Sequence, residues 1–148
     1  MTQEDKELLV KDLCARLPYG VKAKVLVEDI LRYDYTTSKE GGVINGIENL
    51  NDGLFVIKCK EDGYVLSYDE FKPYLRPMSS MTDKQKVEYN SLRDLVPTEQ
   101  QCEVGNLLGD FEFVDNWRSI DYLNANHFDY RGLIEKGLAI DATGLNIY

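Results

Sequence analysis

A run of short strand patterns ends in Lys72-Pro73-Tyr74-Leu75-Arg76-Pro77, and this extended joint constrains the fold more than any other stretch. A proline disfavours helical geometry at the residue before it, so the chain is extended where Lys72 meets Pro73. Ahead of the joint the hydrophobic period is two. Val21, Ala23, Val25 and Val27 alternate with Lys22, Lys24, Leu26 and Glu28, as in a half-buried strand. A second, weaker strand is expected over residues 30–37, rich in Tyr and Thr, and Glu40-Gly41-Gly42 turns the chain into a third over 43–49. Asn51-Asp52-Gly53 is a hairpin signal, because Asp-Gly tolerates the positive φ of a tight turn. A fourth and most apolar strand covers 54–59, Lys60-Glu61-Asp62-Gly63 turns again, and a fifth covers 64–68. Asp69-Glu70-Phe71-Lys72 reads as one helical or 3₁₀ turn, and Tyr74-Leu75-Arg76 as a last short strand.

Helical patterns flank this run. Thr2 and Asp5 have the spacing of a capping box, and Leu9, Leu13 and Leu17 recur every four residues until Pro18-Tyr19-Gly20. Past the joint, Met78-Ser79-Ser80-Met81 is a linker. Thr82 and Gln85 form a second capping box, for a helix carrying Val87, Leu92 and Leu95 and ending at Pro97. Residues 97–110 read as a polar loop, with a short helix from Thr98 as the alternative, and Phe111-Glu112-Phe113-Val114 as strand or loop. Asp115 or Ser119 is placed to cap a third helix through Ala125, and Asp129 a fourth ending at Gly137.

A strand meander, a 3₁₀ turn and a final short strand follow the order of SH3-like and Tudor-like barrels, with an OB-like barrel as the competitor. The expected fold is α+β: an N-terminal helix over 1–17, a small SH3-like β-barrel over 18–77, and a mainly helical C-terminal portion over 78–148 packed on it. At 148 residues the chain can bury roughly 68–70% of its unfolded surface, so it needs no disulfide or metal to fold. Ten tyrosines and five phenylalanines supply core material that a disordered chain lacks.

Charge and motifs narrow the function classes. A net charge of −9 repels nucleic acid and anionic membrane at long range. Three scattered cysteines and one histidine argue against a zinc site and a disulfide framework, and agree with a reducing cytoplasm. The polar, acidic N-terminus is no secretory signal, and no apolar run approaches the roughly 20 residues of a membrane span. Neither a phosphate loop nor a calcium loop is present, so no cofactor is expected.

Three stretches together carry a resemblance: Lys11-Asp12-Leu13-Cys14-Ala15-Arg16-Leu17-Pro18-Tyr19-Gly20-Val21-Lys22, then Lys72-Pro73-Tyr74-Leu75-Arg76-Pro77-Met78-Ser79-Ser80-Met81-Thr82, then Asn124-Ala125-Asn126-His127-Phe128-Asp129-Tyr130-Arg131-Gly132-Leu133-Ile134. With these the chain resembles a group of small uncharacterised proteins common in gut-bacterial genomes, often in prophage or other mobile regions. The resemblance implies a cytoplasmic bacterial or phage-related setting and supplies no catalytic residues.

The residues themselves offer a few candidates. His127 has a reference pKa near neutrality and could act as acid or base, with Asp121 or Asp129 orienting its ring. The simpler reading is a turn histidine bonded to backbone. Cys14 and Cys59 read as small core residues, and Cys102 as the one closest to solvent. Lys22 and Lys24 share a strand face with Tyr64 and Tyr68 nearby in sequence, and a barrel so equipped could hold a nucleic-acid strand or a peptide. The plainer reading is a solvated outer face. Trp117 and Arg131 are of the types enriched at binding hot spots, although such residues more often dock a tail onto its own domain. The leading expectation is a non-enzymatic module that binds another protein. Nucleic-acid binding, or a small enzyme using His127 with a carboxylate, is the alternative.

Overall fold

The structure, a computed structural model, describes residues 1–26, 42–49, 54–59, 62–97 and 111–148. The strand expected over 30–37, the turns at Glu40-Gly41, Asn51-Asp52-Gly53 and Lys60-Glu61, the loop over 98–110 and Cys102 lie outside the described residues.

Helix α1 (Gln3–Arg16) starts where its capping box predicts. The Asp5 N–H donates to Thr2 Oγ1, and the Thr2 N–H donates to the Asp5 carboxylate, both at 3.1 Å. These bonds hold the Asp5 carboxyl below its ordinary pKa. Leu9 and Leu13 are fully buried. Cys14, expected in the core, is exposed instead. One residue beyond Leu13 the side chain has turned by roughly 100° round the helix, away from the buried stripe. A 3₁₀ turn at Leu17–Tyr19 follows, and Gly20 ends it at φ 66°, in the left-handed region that favours glycine.

Strands β1 (Lys22–Val25), β2 (Gly42–Asn49), β3 (Leu54–Cys59), β4 (Asp62–Leu66) and β5 (Phe71–Pro77) form the sheet. They run in the order β4-β3-β2-β1-β5, each neighbouring pair antiparallel. The period-two reading of β1 holds where it can be seen, with Val21 and Ala23 buried and Lys22 and Lys24 exposed. Phe71 and Lys72 depart from expectation, because they open β5 instead of closing a helical turn. The turn is earlier, where Ser67 donates through both N–H and Oγ to the Glu70 carboxylate. Leu26 then donates to Glu70 O at 2.8 Å and draws the chain alongside β1. Burial of Phe71, Pro73 and Leu75 in alternation keeps it extended.

The C-terminal portion adds two short parallel strands, β8 (Phe128–Asp129) and β9 (Ile140–Asp141), to β5. The Arg76 N–H donates to His127 O, whereas Ala142 donates to Leu75 O. Neighbouring residues of a strand address opposite edges, so β8 and β9 flank β5 on its two sides. The result is an α+β fold with a mixed sheet, and no closed barrel forms among the described residues.

Between these strands lie helix α2 (Asp83–Leu92), strands β6 (Asp94–Pro97) and β7 (Phe111–Val114), and helix α3 (Trp117–Ala125). Thr82 and Gln85 cap α2 as read. The helix stops at Leu92 and not at Pro97, because Arg93 turns extended (φ −82°, ψ 155°) and the next four residues pair with β7. Met78–Ser80, expected as a linker, is a 3₁₀ turn. Asn116 caps α3, with Ser119 returning the bond to its N–H at 2.9 Å. Asp129 accepts from the Leu133 and Ile134 N–H groups at 2.9 and 2.8 Å, yet turns follow in place of a helix, with Gly132 and Gly137 at positive φ.

One core cluster draws on α1, the sheet and the tail: Leu9, Leu13, Val21, Ala23, Ile44, Phe71 and Leu75 meet Leu133, Leu138 and Ala139. A second gathers Met81, Tyr89, Leu123 and Phe128 between α2, α3 and β8.

Candidate functional site

The free end of the β1–β5 pair carries the densest polar arrangement near the sole histidine. Register pairs Ala23 with Pro73, so Lys22 and Tyr74 would pair next. The Tyr148 hydroxyl is bonded to both backbones. It accepts from the Lys22 N–H and donates to Tyr74 O, each at 2.9 Å. Burial raises the Tyr148 pKa to about 12, so the hydroxyl remains a donor at neutral pH. Its ring stacks on His127 with centroids 3.8 Å apart and planes 16° apart.

His127 is buried at φ 58°, a left-handed conformation in which histidine is enriched among non-glycine residues. Its Nδ1 is buried without a hydrogen-bond partner among the described residues. Burial, and then the positive charges of Arg16, Arg76 and Lys22, lower its pKa to about 4. The ring is therefore neutral at physiological pH. The two carboxylates expected to orient it are engaged elsewhere: Asp129 with Leu133 and Ile134, and Asp121 with the Tyr19 hydroxyl.

Beside this stack lies a cleft of about 400 Å³ lined by Arg76, Ser80, Thr143, Asn146, Ile147 and Tyr148, among others. The guanidinium of Arg76 lies 5.1 Å from the centre of the Phe128 ring. The Ser80 hydroxyl is committed to Pro77 O at 2.7 Å.

A second feature is apolar. Leu95 and Phe113 are opposite each other on β6 and β7, so their side chains share one face of the two-stranded ribbon. They are 56% and 47% exposed, and Trp117, at the start of α3, is 77% exposed. Arg93 pairs with Asp115 at 3.1 Å, and its guanidinium lies 5.5 Å from the Phe113 ring centre.

The residues singled out in the sequence fall into different roles. Lys22 spends its ammonium on Ile147 O at 2.6 Å, while Lys24 is exposed. Tyr68 is half-buried against the core, with the Lys6 ammonium 5.5 Å from its ring centre. Tyr64 lies on β4 opposite Ile57, and its side chain, like that of Cys59, is outside the described residues. Arg131 donates to the buried Asp12 at 3.2 Å and so faces inward. Of those whose side chains are described, Trp117 alone presents a large apolar surface to water. Sequence reasoning did not single out Arg76, Tyr148, Leu95 or Phe113. Alternation along β5 was the available signal for Arg76, since burying Phe71, Pro73 and Leu75 turns Lys72, Tyr74 and Arg76 the other way.

Among the described residues, no group of three His, Cys, Asp or Glu side chains is placed to hold a metal, and no helix is long and apolar enough to cross a membrane. No family model, curated protein or solved structure matches the chain.

Proposed function

We propose that this protein is a non-enzymatic interaction module that binds another protein through the β6–β7 ribbon and the start of α3, in a cytoplasmic bacterial or phage-related setting. The observation that carries this reading is the exposure of Trp117, together with the exposed cross-strand pair of Leu95 and Phe113, the latter four residues before it. Large aromatic surface left in water is what a docking partner gains by covering, and tryptophan is among the residues most enriched at binding hot spots. The ion pair of Arg93 and Asp115 closes the base of the ribbon, and Tyr89 of α2 donates to the same carboxylate at 2.6 Å, so the apolar face is presented on an anchored element.

The test uses tagged wild-type protein and two variants, Trp117→Ala and the double variant Leu95→Ser with Phe113→Ser. Each is checked for native circular dichroism and exposed to nuclease-treated extract of the native host. A protein recovered stoichiometrically by the wild type is expected to be lost from both variants. For Trp117→Ala the expected weakening is about 30-fold, the effect of removing a hot spot worth roughly 2 kcal/mol. A wild-type bait that retains no protein, or variants that retain the same partner equally well, would remove this reading.

A further inference from the structure

Arg16, Arg93 and Arg131 each hold a carboxylate, whereas Arg76 makes no ion pair and no side-chain hydrogen bond with any described residue. Arg118, the other arginine without an ion pair among the described residues, is exposed on α3. Arg76 is half-buried, lines the cleft at the end of β5, and lies against the Phe128 ring. A guanidinium is a rigid fork of donors that matches carboxylate or phosphate oxygens two at a time, and partial burial strengthens such a pair. Holding the side chain against an aromatic ring lowers the entropy lost when an anion docks.

The surroundings are suited to a small anion. Thr143 and Asn146 bring a hydroxyl and an amide to the cleft, neither of them engaged with another described residue through its side chain. The nearby carboxylate of Asp141 accepts from the Thr143 N–H at 2.8 Å and is not part of the lining. Lys22 adds a positive charge on the adjoining strand, while His127 stays neutral and so adds none. Ala142, Ile147 and Tyr148 supply less polar wall. The cleft volume of about 400 Å³ is within the range of small-molecule sites. Repulsion from the net charge of −9 grows with the charge of the ligand, and so disfavours a polyanion relative to a singly or doubly charged molecule.

We propose that this cleft binds a small organic anion, with its carboxylate or phosphate head group on the Arg76 fork and its body against Ala142, Ile147 and Tyr148. The site is separate from the apolar ribbon, so either can fail without the other.

The experiment is a titration of the isotope-labelled full chain with phenyl phosphate and, separately, with benzoate, followed by ¹H–¹⁵N correlation spectra. Saturable shifts are expected at the Arg76 Nε–H and at the backbone amides of Gly144 and Asn146. Saturation by phenyl phosphate alone assigns a phosphate head group, and saturation by benzoate alone assigns a carboxylate. Arg76→Gln is expected to weaken binding about tenfold or more, the loss of a charge-assisted pair. Arg76→Lys, which keeps charge but not the fork, is expected to fall between, and Lys84→Gln, exposed on α2, to leave binding unchanged. Should the Arg76 variants fail to fold, Thr143→Ala is expected to weaken binding severalfold with the same residues shifting. Absence of saturable shifts with both probes, shifts that map away from the cleft, or unchanged affinity in a folded Arg76 variant would each overturn the proposal.

Discussion

Asp12 and Arg16, one helical turn apart on α1, are both fully buried. Their side chains meet through two bonds, Nε to Oδ2 at 2.7 Å and Nη2 to Oδ1 at 3.0 Å. Arg16 also donates to Phe128 O at 2.8 Å and Leu123 O at 3.4 Å, and Arg131 donates to Asp12. One carboxylate thus neutralises a buried guanidinium that ties α1 to α3 and β8. Removing a single partner leaves the other charge buried and unpaired, so Asp12→Ala is expected to cost about 3–5 kcal/mol. Asp12→Asn, which keeps an acceptor in place, is expected to cost less. Urea denaturation measures both, and an Asp12→Ala variant as stable as wild type would contradict the role. His127 makes a prediction of the opposite electrostatic kind. Its folded pKa of about 4 is below its ordinary value of 6.5, so between those values the unfolded chain binds more protons than the folded one. Its contribution to stability is therefore complete above pH 6.5 and is lost as pH falls toward 4. Because His127 is the sole histidine, its imidazole signals can be followed by NMR without ambiguity. Tyr148→Ala, by uncovering the ring, is expected to move the titration up toward 6.5. A native titration already near 6.5 would show that the ring is solvated.

The elements that could be read from the sequence are those whose signals are local. Thr2 with Asp5 and Thr82 with Gln85 marked two helix starts, because a capping box is complete within four residues. Alternation marked β1, and a short apolar run between turn signals marked β3. The failures share a different cause. Leu95 followed a helical pattern yet belongs to β6, whose partner Phe113 is eighteen residues away and gave no local sign of pairing. Ile140 and Asp141 form β9 only because the edge of β5 is there to receive them, and parallel pairing carries no turn signature. Asn116 caps α3 with Ser119 in the position where the familiar signal is Glu or Gln, so the sequence points to Asp115, one residue early, or Ser119, three late. Asp129 carries capping chemistry without a helix behind it. The candidate site was less legible than the fold for the same reason. Trp117 stands out by residue type alone. Arg76 matters only because no described residue neutralises it, and the absence of a partner cannot be read from one strand.

At the scale of the whole molecule, the division into helix, strand region and tail does not match the way the interior is shared. Leu133, Leu138 and Ala139 complete the cluster built on Leu9, Leu13, Val21 and Phe71. Strands β8 and β9 occupy both edges of β5, Arg131 helps neutralise Asp12, and Arg16 is satisfied by carbonyls of residues 123 and 128. A fragment of residues 1–77 would lose all of these together. It would open a hole in the core, uncover both sides of β5 from Tyr74 to Pro77, where β8 and β9 pair, and leave Arg16 with two donors unsatisfied. Cavity formation costs roughly 2–5 kcal/mol for each large side chain removed, and a domain's whole stability is about 5–15 kcal/mol. Residues 1–77 alone are therefore expected to show no cooperative urea transition, whereas the full chain unfolds in one step with the same midpoint by tyrosine fluorescence and by circular dichroism. A fragment that melts sigmoidally near the full-chain midpoint would mean that the strands fold independently and the tail is only laid on them. A full chain that unfolds in two resolved steps would point the same way, with α2, α3 and the β6–β7 ribbon forming a unit of their own. A single transition, lost on truncation, would establish that the tail contributes to the core as much as it covers it.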